Sequence, residues 1–270
     1  MTVANAARSA IFTHTLGEGP ALVMLHGWSM HGGLMLDFAQ RLASRCRVTL
    51  VDLPGHGRSE PRSDYALDSL LDALMAVVPE RACWLGWSLG GLLALAAAER
   101  APRRVSGLIL MAGTPRFTRS ADWPGVDAEV LQQMAGHLEE DRAATLRRFI
   151  GLQTFGQAQA KDLARTLQTR LDEAPPADPV ALRGGLQLLL NEDLRSALAA
   201  YSGPTLTLLG ERDRLVPAAL QANLHELKPD MAVHTVSGAA HLPFFTHPQE
   251  TVGRGEAFLE GGCCHQEGTG

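Results

Sequence analysis

The 270-residue sequence predicts an α/β protein, a mainly parallel, doubly wound sheet interrupted by a helical insertion. Three observations lead there. Short apolar runs bounded by Gly and Pro recur along the chain. Segments of helical spacing separate them. Between residues 115 and 197 the alternation stops and helical spacing continues alone.

The apolar runs are 21–25, 48–51, 82–85, 105–111 and 205–209, with 231–236 weaker. Each is continuous rather than alternating, as suits strands covered on both faces. Segments 34–44, 67–78 and 89–100 repeat apolar residues at helical intervals and supply the covering layers. Strand–helix–strand order with right-handed crossovers gives the doubly wound sheet. Within 115–197 the helical segments are 128–138, 143–152, 158–171 and 180–190, the last two punctuated by Pro175, Pro176 and Pro179. The expected organisation is a core of 1–114 and 198–260, a helical lid of 115–197, and a Gly-rich, polar, disordered tail at 261–270.

Bulk composition narrows the function. Apolar residues make up 46% and charged residues 20% of a chain whose net charge is −5, the balance of a globular protein without the basic face that nucleic acid demands. No run reaches the roughly 18 apolar residues of a membrane span. The start, Met1 to Asn5, lacks a signal-peptide pattern, so a cytoplasmic protein is expected. Cys46 and Cys83 lie beside strand-like runs and read as buried thiols, while Cys263-Cys264 forms neither a disulfide framework nor a zinc site. No His-Glu-x-x-His spacing or Gly-rich phosphate loop is present, and the chemistry below requires no metal or organic cofactor.

The strongest chemical signal is Gly86-Trp87-Ser88-Leu89-Gly90, set between a strand run and a helical run. A serine hydroxyl is a poor nucleophile until a tight turn exposes it against a base. Such a strand-to-helix turn crowds its own backbone, so small residues are needed two positions to either side, where Gly86 and Gly90 stand. The helix start aims N–H groups at the same place, which makes the Leu89 N–H a candidate oxyanion donor. A second donor should follow an earlier strand. Leu25-His26-Gly27-Trp28 fits, with the Trp28 N–H as candidate and its indole either a wall of the acyl pocket or a packing residue only. His26, beside that loop, reads as a hydrogen-bonding support rather than the base.

With a serine on such a turn, the partners follow in the order acid, then histidine. Of ten histidines, His241 stands out, because Gly238-Ala239-Ala240-His241 follows the last strand-like run, at the edge where sites gather in open α/β sheets. His225, His234 and His247 read as helix-face, in-strand and pre-proline residues. The run 205–209 leads into Gly210-Glu211-Arg212-Asp213, which places Asp213 at a strand's carboxyl end with Glu211 as competitor. Asp213 would fix the tautomer of His241, and His241 would take the Ser88 proton and return it to the leaving group.

Together, Leu25 to Trp28, Asp52-Leu53-Pro54-Gly55-His56-Gly57-Arg58-Ser59, Gly86 to Gly91, Gly210 to Asp213 and Gly238 to His241 resemble the α/β-hydrolase family, over about residues 10–260. A narrower likeness rests on Trp84 to Gly91, on Asp122-Trp123-Pro124-Gly125 and on Arg148 to Thr154. These resemble the pimeloyl-(acyl-carrier protein) methyl ester esterases of biotin synthesis, a family of cytoplasmic, usually monomeric carboxylesterases. The resemblance implies that Trp28 and Leu89 form the oxyanion hole. It also implies that Phe149, Ile150, Gly151, Leu152 and Gln153 contact the acyl chain or its ester end. Arg148, Lys161 and Arg165 match, by position, basic lid residues of the family that bind the acyl-carrier protein.

Physical reasoning supports part of this. A long acyl chain fits an apolar channel under a lid, and an acidic carrier protein needs a basic patch. Arg142, Arg147 and Arg148 begin one lid helix, while Lys161 and Arg165, four apart, share a face of the next. Charges balanced by Glu139, Glu140, Asp141 and Asp162 are the other reading, and the acidic 139–141 stretch departs from a purely basic patch. A general short-chain carboxylesterase or thioesterase would use the same triad on a free ester. A carbon–carbon bond hydrolase keeps the serine, and a ligand receptor on this fold has no need of an intact triad.

Overall fold

A computed structural model describes residues 11–263. Seven strands, β1 (Thr13–Leu16), β2 (Ala21–Leu25), β3 (Arg47–Val51), β4 (Ala82–Trp87), β5 (Val105–Met111), β6 (Thr205–Gly210) and β7 (Ala232–Val236), form one sheet in the order β1-β3-β2-β4-β5-β6-β7. All neighbours are parallel except β1 against β3. The central strands are buried along almost their whole length, which is why they read as unbroken apolar runs. β1 was not expected. It is an edge strand, Thr-His-Thr-Leu, with its middle two residues exposed, so it lacks the apolar continuity by which the others are recognised. The opposite edge, β7, is buried only at Val236, which accounts for its weak signal.

Helices α1 (Leu36–Leu42), α2 (Leu67–Met75) and α3 (Leu89–Arg100) follow β2, β3 and β4. Ten consecutive residues of α3, Leu89 to Ala98, are buried. A helix enclosed on all sides must be thin, and its run of Ala and Gly makes it so. The chain passes from β2 outward to β3, then returns to place β4 on the other side of β2. The carboxyl ends of β2 and β4 therefore flank a topological switch point, where the sheet opens a crevice.

Between β5 and β6 lie α4 (Ala128–Glu140), α5 (Arg142–Thr154), α6 (Ala160–Leu171), α7 (Pro179–Asn191) and α8 (Arg195–Ala200), the last straddling residue 197. Asp141 caps α5 by accepting from the Ala144 N–H at 2.9 Å. Asp178 caps α7 at the Val180 N–H (2.8 Å), with Pro179 in the first turn. After β6 come α9 (Leu220–Leu227), β7, α10 (Pro243–Thr246) and α11 (Pro248–Phe258). A π-helical turn, Leu259–Cys263, follows. Helical structure thus runs three residues into the stretch expected to be a disordered tail; residues 264–270 lie outside the described ones. Among the described residues no helix is long and apolar enough to cross a membrane.

Candidate active site

Ser88 occupies the turn between β4 and α3 at φ 55°, ψ −118°, a conformation L-residues avoid. The turn is possible because of its glycines. A Cβ on Gly86 would lie 2.1 Å from the Gly90 carbonyl oxygen, and one on Gly90 would lie 2.3 Å from that of Leu25. The second collision also shows how close β2 runs, since Leu25 is the register partner of Gly86. The loop after β2 consequently passes over the serine, and a Cβ on Gly27 would sit 3.3 Å from the Ser88 Cβ. Leu89 opens α3, so no preceding helical turn takes its N–H. Trp28, fully buried, continues the β2 loop, and Ser29 beyond it turns the chain at φ 63°.

Asp213 and His241 meet from the ends of neighbouring strands, β6 and β7. Their side chains are buried, with His241 Nδ1 2.7 Å from Asp213 Oδ2. The other carboxylate oxygen accepts the N–H groups of Leu215 (2.8 Å) and Val216 (3.0 Å), which holds the acid in one orientation. Gly210 lets the two loops cross, because a Cβ there would lie 2.1 Å from the Ala240 carbonyl oxygen. Glu211, the competing acid, points elsewhere; it accepts the Gly238 N–H at 2.7 Å and steadies the histidine loop from outside. With Nδ1–H donated to Asp213, His241 Nε2 is an acceptor. It is buried and has no hydrogen-bond partner. The Ser88 hydroxyl is therefore not bonded to it here; such bonds commonly tighten only when substrate arrives. Trp87 links the two parts: its indole N–H donates to the His241 carbonyl at 2.8 Å, and its ring lies 6.0 Å from the imidazole. Sequence reasoning assigned Trp87 no such role, and a tryptophan beside a nucleophile carries no local signal for it.

A buried polar network supports the β2 loop. His26 spans it, with Nδ1 2.8 Å from the Gly27 carbonyl and Nε2 accepting the Leu53 N–H at 2.9 Å, so neither nitrogen is left for catalysis. Burial, aided by neighbouring His56, lowers the His26 pKa to about 3. Burial likewise lowers that of His56 to about 4. Asp52 accepts from Gly32 N (2.7 Å), Arg58 N (2.9 Å) and Arg58 Nε (2.8 Å). Burial alone would raise its pKa, but the hydrogen bonds and charge of Arg58 hold it below the usual carboxylate range. The Asp52–Ser59 stretch thus does structural work.

The helical insertion closes over these loops. The Trp28 indole donates to the Leu182 carbonyl on α7 at 2.8 Å and meets the Phe149 ring edge-on, 4.7 Å between centroids. α7 comes this close because of Gly185, where a Cβ would lie 2.6 Å from Trp28 Cδ1. Gly184 beside it is just as tight against Tyr65, and a mid-helix glycine pair, costly to helix propensity, is the kind of sequence signal that such close packing leaves. Helical periodicity divides the stretch 149–153. Phe149, Ile150 and Gln153 are buried, whereas Leu152 is half-buried and Gly151 is exposed on the outer side. Gln153 is 1% exposed, yet neither of its amide atoms has a hydrogen-bond partner. A cavity of about 270 Å³ separates Met30 and His31 of the β2 loop from Leu146 and Ile150 of α5 and Leu171 of α6. Arg148, Lys161 and Arg165 are exposed on the insertion, Arg165 paired with Asp162 at 3.1 Å.

These features define an enzyme of the α/β-hydrolase fold. The family model for that fold matches residues 20–248, and an esterase from Exiguobacterium antarcticum superposes with a TM-score of 0.83 at 22% identity, covering 93% of this chain and 95% of that one. Sequence relatives are more specific. A pimeloyl-(acyl-carrier protein) methyl ester esterase of Methylococcus capsulatus is 42% identical over 242 residues, 90% of this chain and 95% of its own. One from Xanthomonas oryzae pv. oryzae is 44% identical over 237 residues, 87% of this chain and 93% of its own. The chain belongs to the α/β-hydrolase family and, within it, to the family of these methyl ester esterases; it is a serine carboxylic-ester hydrolase.

Proposed function

We propose that this protein removes the methyl group from the ω-ester of a pimeloyl chain carried on an acyl-carrier protein, during biotin synthesis, with Ser88, His241 and Asp213 as catalytic triad. The observation that carries the chemistry is the buried, unpartnered Nε2 of an imidazole whose other nitrogen is held by Asp213. It is a base poised to receive one proton. As Ser88 Oγ attacks the ester carbonyl, its proton passes to His241 Nε2. The carbonyl oxygen becomes an oxyanion received by the N–H groups of Trp28 and Leu89. Collapse expels methoxide, which takes the proton from His241 and leaves as methanol. Water then attacks the acyl-enzyme with the same histidine as base, releasing the free carboxylate and restoring Ser88.

Substrate choice rests on the insertion, which acts as a lid. Ile150 lines an apolar cavity suited to a methylene chain, Phe149 packs edge-on against Trp28, and the amide of Gln153 has unused hydrogen bonds to offer an ester or its product. Gly151 and Leu152 back this stretch from outside. Arg148, Lys161 and Arg165 offer an otherwise acidic enzyme a basic surface for the acidic carrier. The names borne by the relatives support this substrate.

The test is methanol release from the carrier-bound pimeloyl methyl ester, together with growth without biotin in a strain lacking its own such esterase. Turnover and rescue, both lost in Ser88→Ala, are expected. Cleavage of small free esters without either would leave a general short-chain esterase instead.

A further inference from the structure

The surface beyond the insertion helices holds a feature the triad does not use. Phe155, at the tip between α5 and α6, is 47% exposed, one of two large apolar side chains so exposed among the described residues. Two arginines from the loop after β6 surround it. The guanidinium of Arg214 lies 3.5 Å over its ring, and Arg212 donates to the Gly156 carbonyl at 2.9 Å. Phe155, Gly156 and residues 211–214 line a surface hollow of about 480 Å³. The neighbouring acid, Glu211, is engaged with Gly238 and Ser237, whereas neither Arg212 nor Arg214 has a carboxylate within 4.0 Å among the described residues.

This hollow continues the basic face. Phe155 caps the carboxyl end of α5, seven residues after the exposed Arg148, and Lys161 stands in the first turn of α6, just past the tip. Charge changes along the insertion, from Glu139 and Glu140 at the end of α4 and Asp141 at the cap of α5, through Arg142, Arg147 and Arg148 on α5, to the aromatic–arginine cluster past its end. An acidic partner is repelled from the first end and drawn to the second. Aromatic and arginine side chains are also the types on which interfaces concentrate their affinity, Arg through paired hydrogen bonds to carboxylates.

We propose that the carrier-protein docking surface extends past the insertion onto the loop bearing Asp213, with Phe155 as apolar anchor and Arg212 and Arg214 as partners for carrier carboxylates. The inference rests on the carrier-bound substrate proposed above. It places the carrier over both insertion and core, bridging the two bodies that enclose the acyl chain.

The experiment compares wild type, Arg212→Glu with Arg214→Glu, and Phe155→Ser. A charge-matched control carries Arg41→Glu with Arg103→Glu, exposed residues at the end of α1 and just before the amino end of β5. Two quantities are read: kcat/KM for the carrier-bound ester divided by that for a small free ester, and the Kd for holo-carrier protein without an acyl group. The reversal at 212 and 214 is expected to lower the ratio about 10- to 100-fold and weaken the Kd to match, Phe155→Ser about 5-fold, and the control less than about 2-fold. Arg212→Gln with Arg214→Gln, a milder pair, should fall between wild type and reversal, which covers the case of a reversal that fails to fold. Equal losses in control and reversal, or an unchanged ratio and Kd, overturn the proposal. A wild-type enzyme that cleaves the free ester but not the carrier-bound one removes the substrate reading itself, a separate result.

Discussion

The strand-end loops and the insertion helices enclose one site, and they are fixed in place by different means. Around Ser88 and Asp213 the backbone is held by sterics: Gly86, Gly90 and Gly210 stand where a Cβ would come within 2.3 Å of a carbonyl oxygen. Asp213 has three hydrogen-bond partners and no freedom to turn. The insertion is hung from the core mostly by side-chain hooks, Trp28 to the Leu182 carbonyl, His31 to that of Arg170, Gln157 to that of Gly238, with a main-chain bond from the Asp178 N–H to the Gly55 carbonyl and the close fit of Gly185 on Trp28 beside them. It also tolerates, in Gln153, a buried amide with nothing to bind. Backbone collisions leave no alternative geometry, whereas side-chain hooks can be exchanged. The chemistry is preorganised, and the specificity surface is left adjustable.

Substitutions can break that contrast, beginning with the core. Ser88→Ala should lower esterase kcat by more than about 10⁴-fold and abolish fluorophosphonate labelling while the circular dichroism spectrum is kept. Unchanged turnover would remove Ser88 from the site. Asp213→Asn should cost about 10³- to 10⁴-fold in kcat with little change in KM, since the histidine loses its correct tautomer. At the junction of the two regions, Gly185→Ala pushes a methyl group toward Trp28; about a 10- to 100-fold loss in kcat is expected, although alanine is the better helix former. If this variant is more stable and fully active, α7 does not position Trp28.

On the insertion side the effects should be milder. Gln153→Leu removes an unsatisfied amide and should raise unfolding free energy by about 1–2 kcal/mol while raising KM for the carrier-bound ester about 10-fold. A less stable variant with unaltered KM would show that the amide has a partner in solution. The smallest effect at neutral pH comes from the buried imidazoles. His26 and His56 have folded pKa values lowered to about 3 and about 4, below the value near 6.5 of an unfolded histidine. The unfolded chain therefore binds protons first as pH falls. This contribution to stability is complete above about pH 6.5 and declines by about 1.4 kcal/mol per pH unit for each imidazole toward pH 4. Urea unfolding at pH 7, 6 and 5 measures the slope, and a flat profile for the wild type contradicts it.

Much of this was legible in the sequence because the core is built from local rules. A strand covered on both faces must be continuously apolar, and a nucleophile turn must have small residues at fixed offsets, so β2, β4, α3 and Ser88 could all be placed from local pattern. His241 and Asp213 were legible for the same reason: each lies just past a strand. β1 escaped notice because an edge strand needs no apolar run. The split of 149–153 into inward and outward residues is written in helical periodicity, but which side faces the core depends on the packing of α5.

The sequence alone determined the chemistry that local backbone sterics enforce, namely the strand ends, their glycines and the residue types that follow them. Only the tertiary structure decided which distant groups meet: Trp87 with the His241 carbonyl, Gly185 with Trp28, Glu211 with Gly238 rather than with the histidine, and Arg214 with Phe155. The physical reason is range. Dihedral and periodicity constraints act over a few residues, whereas these contacts depend on how sheet twist and helix packing bring remote segments together.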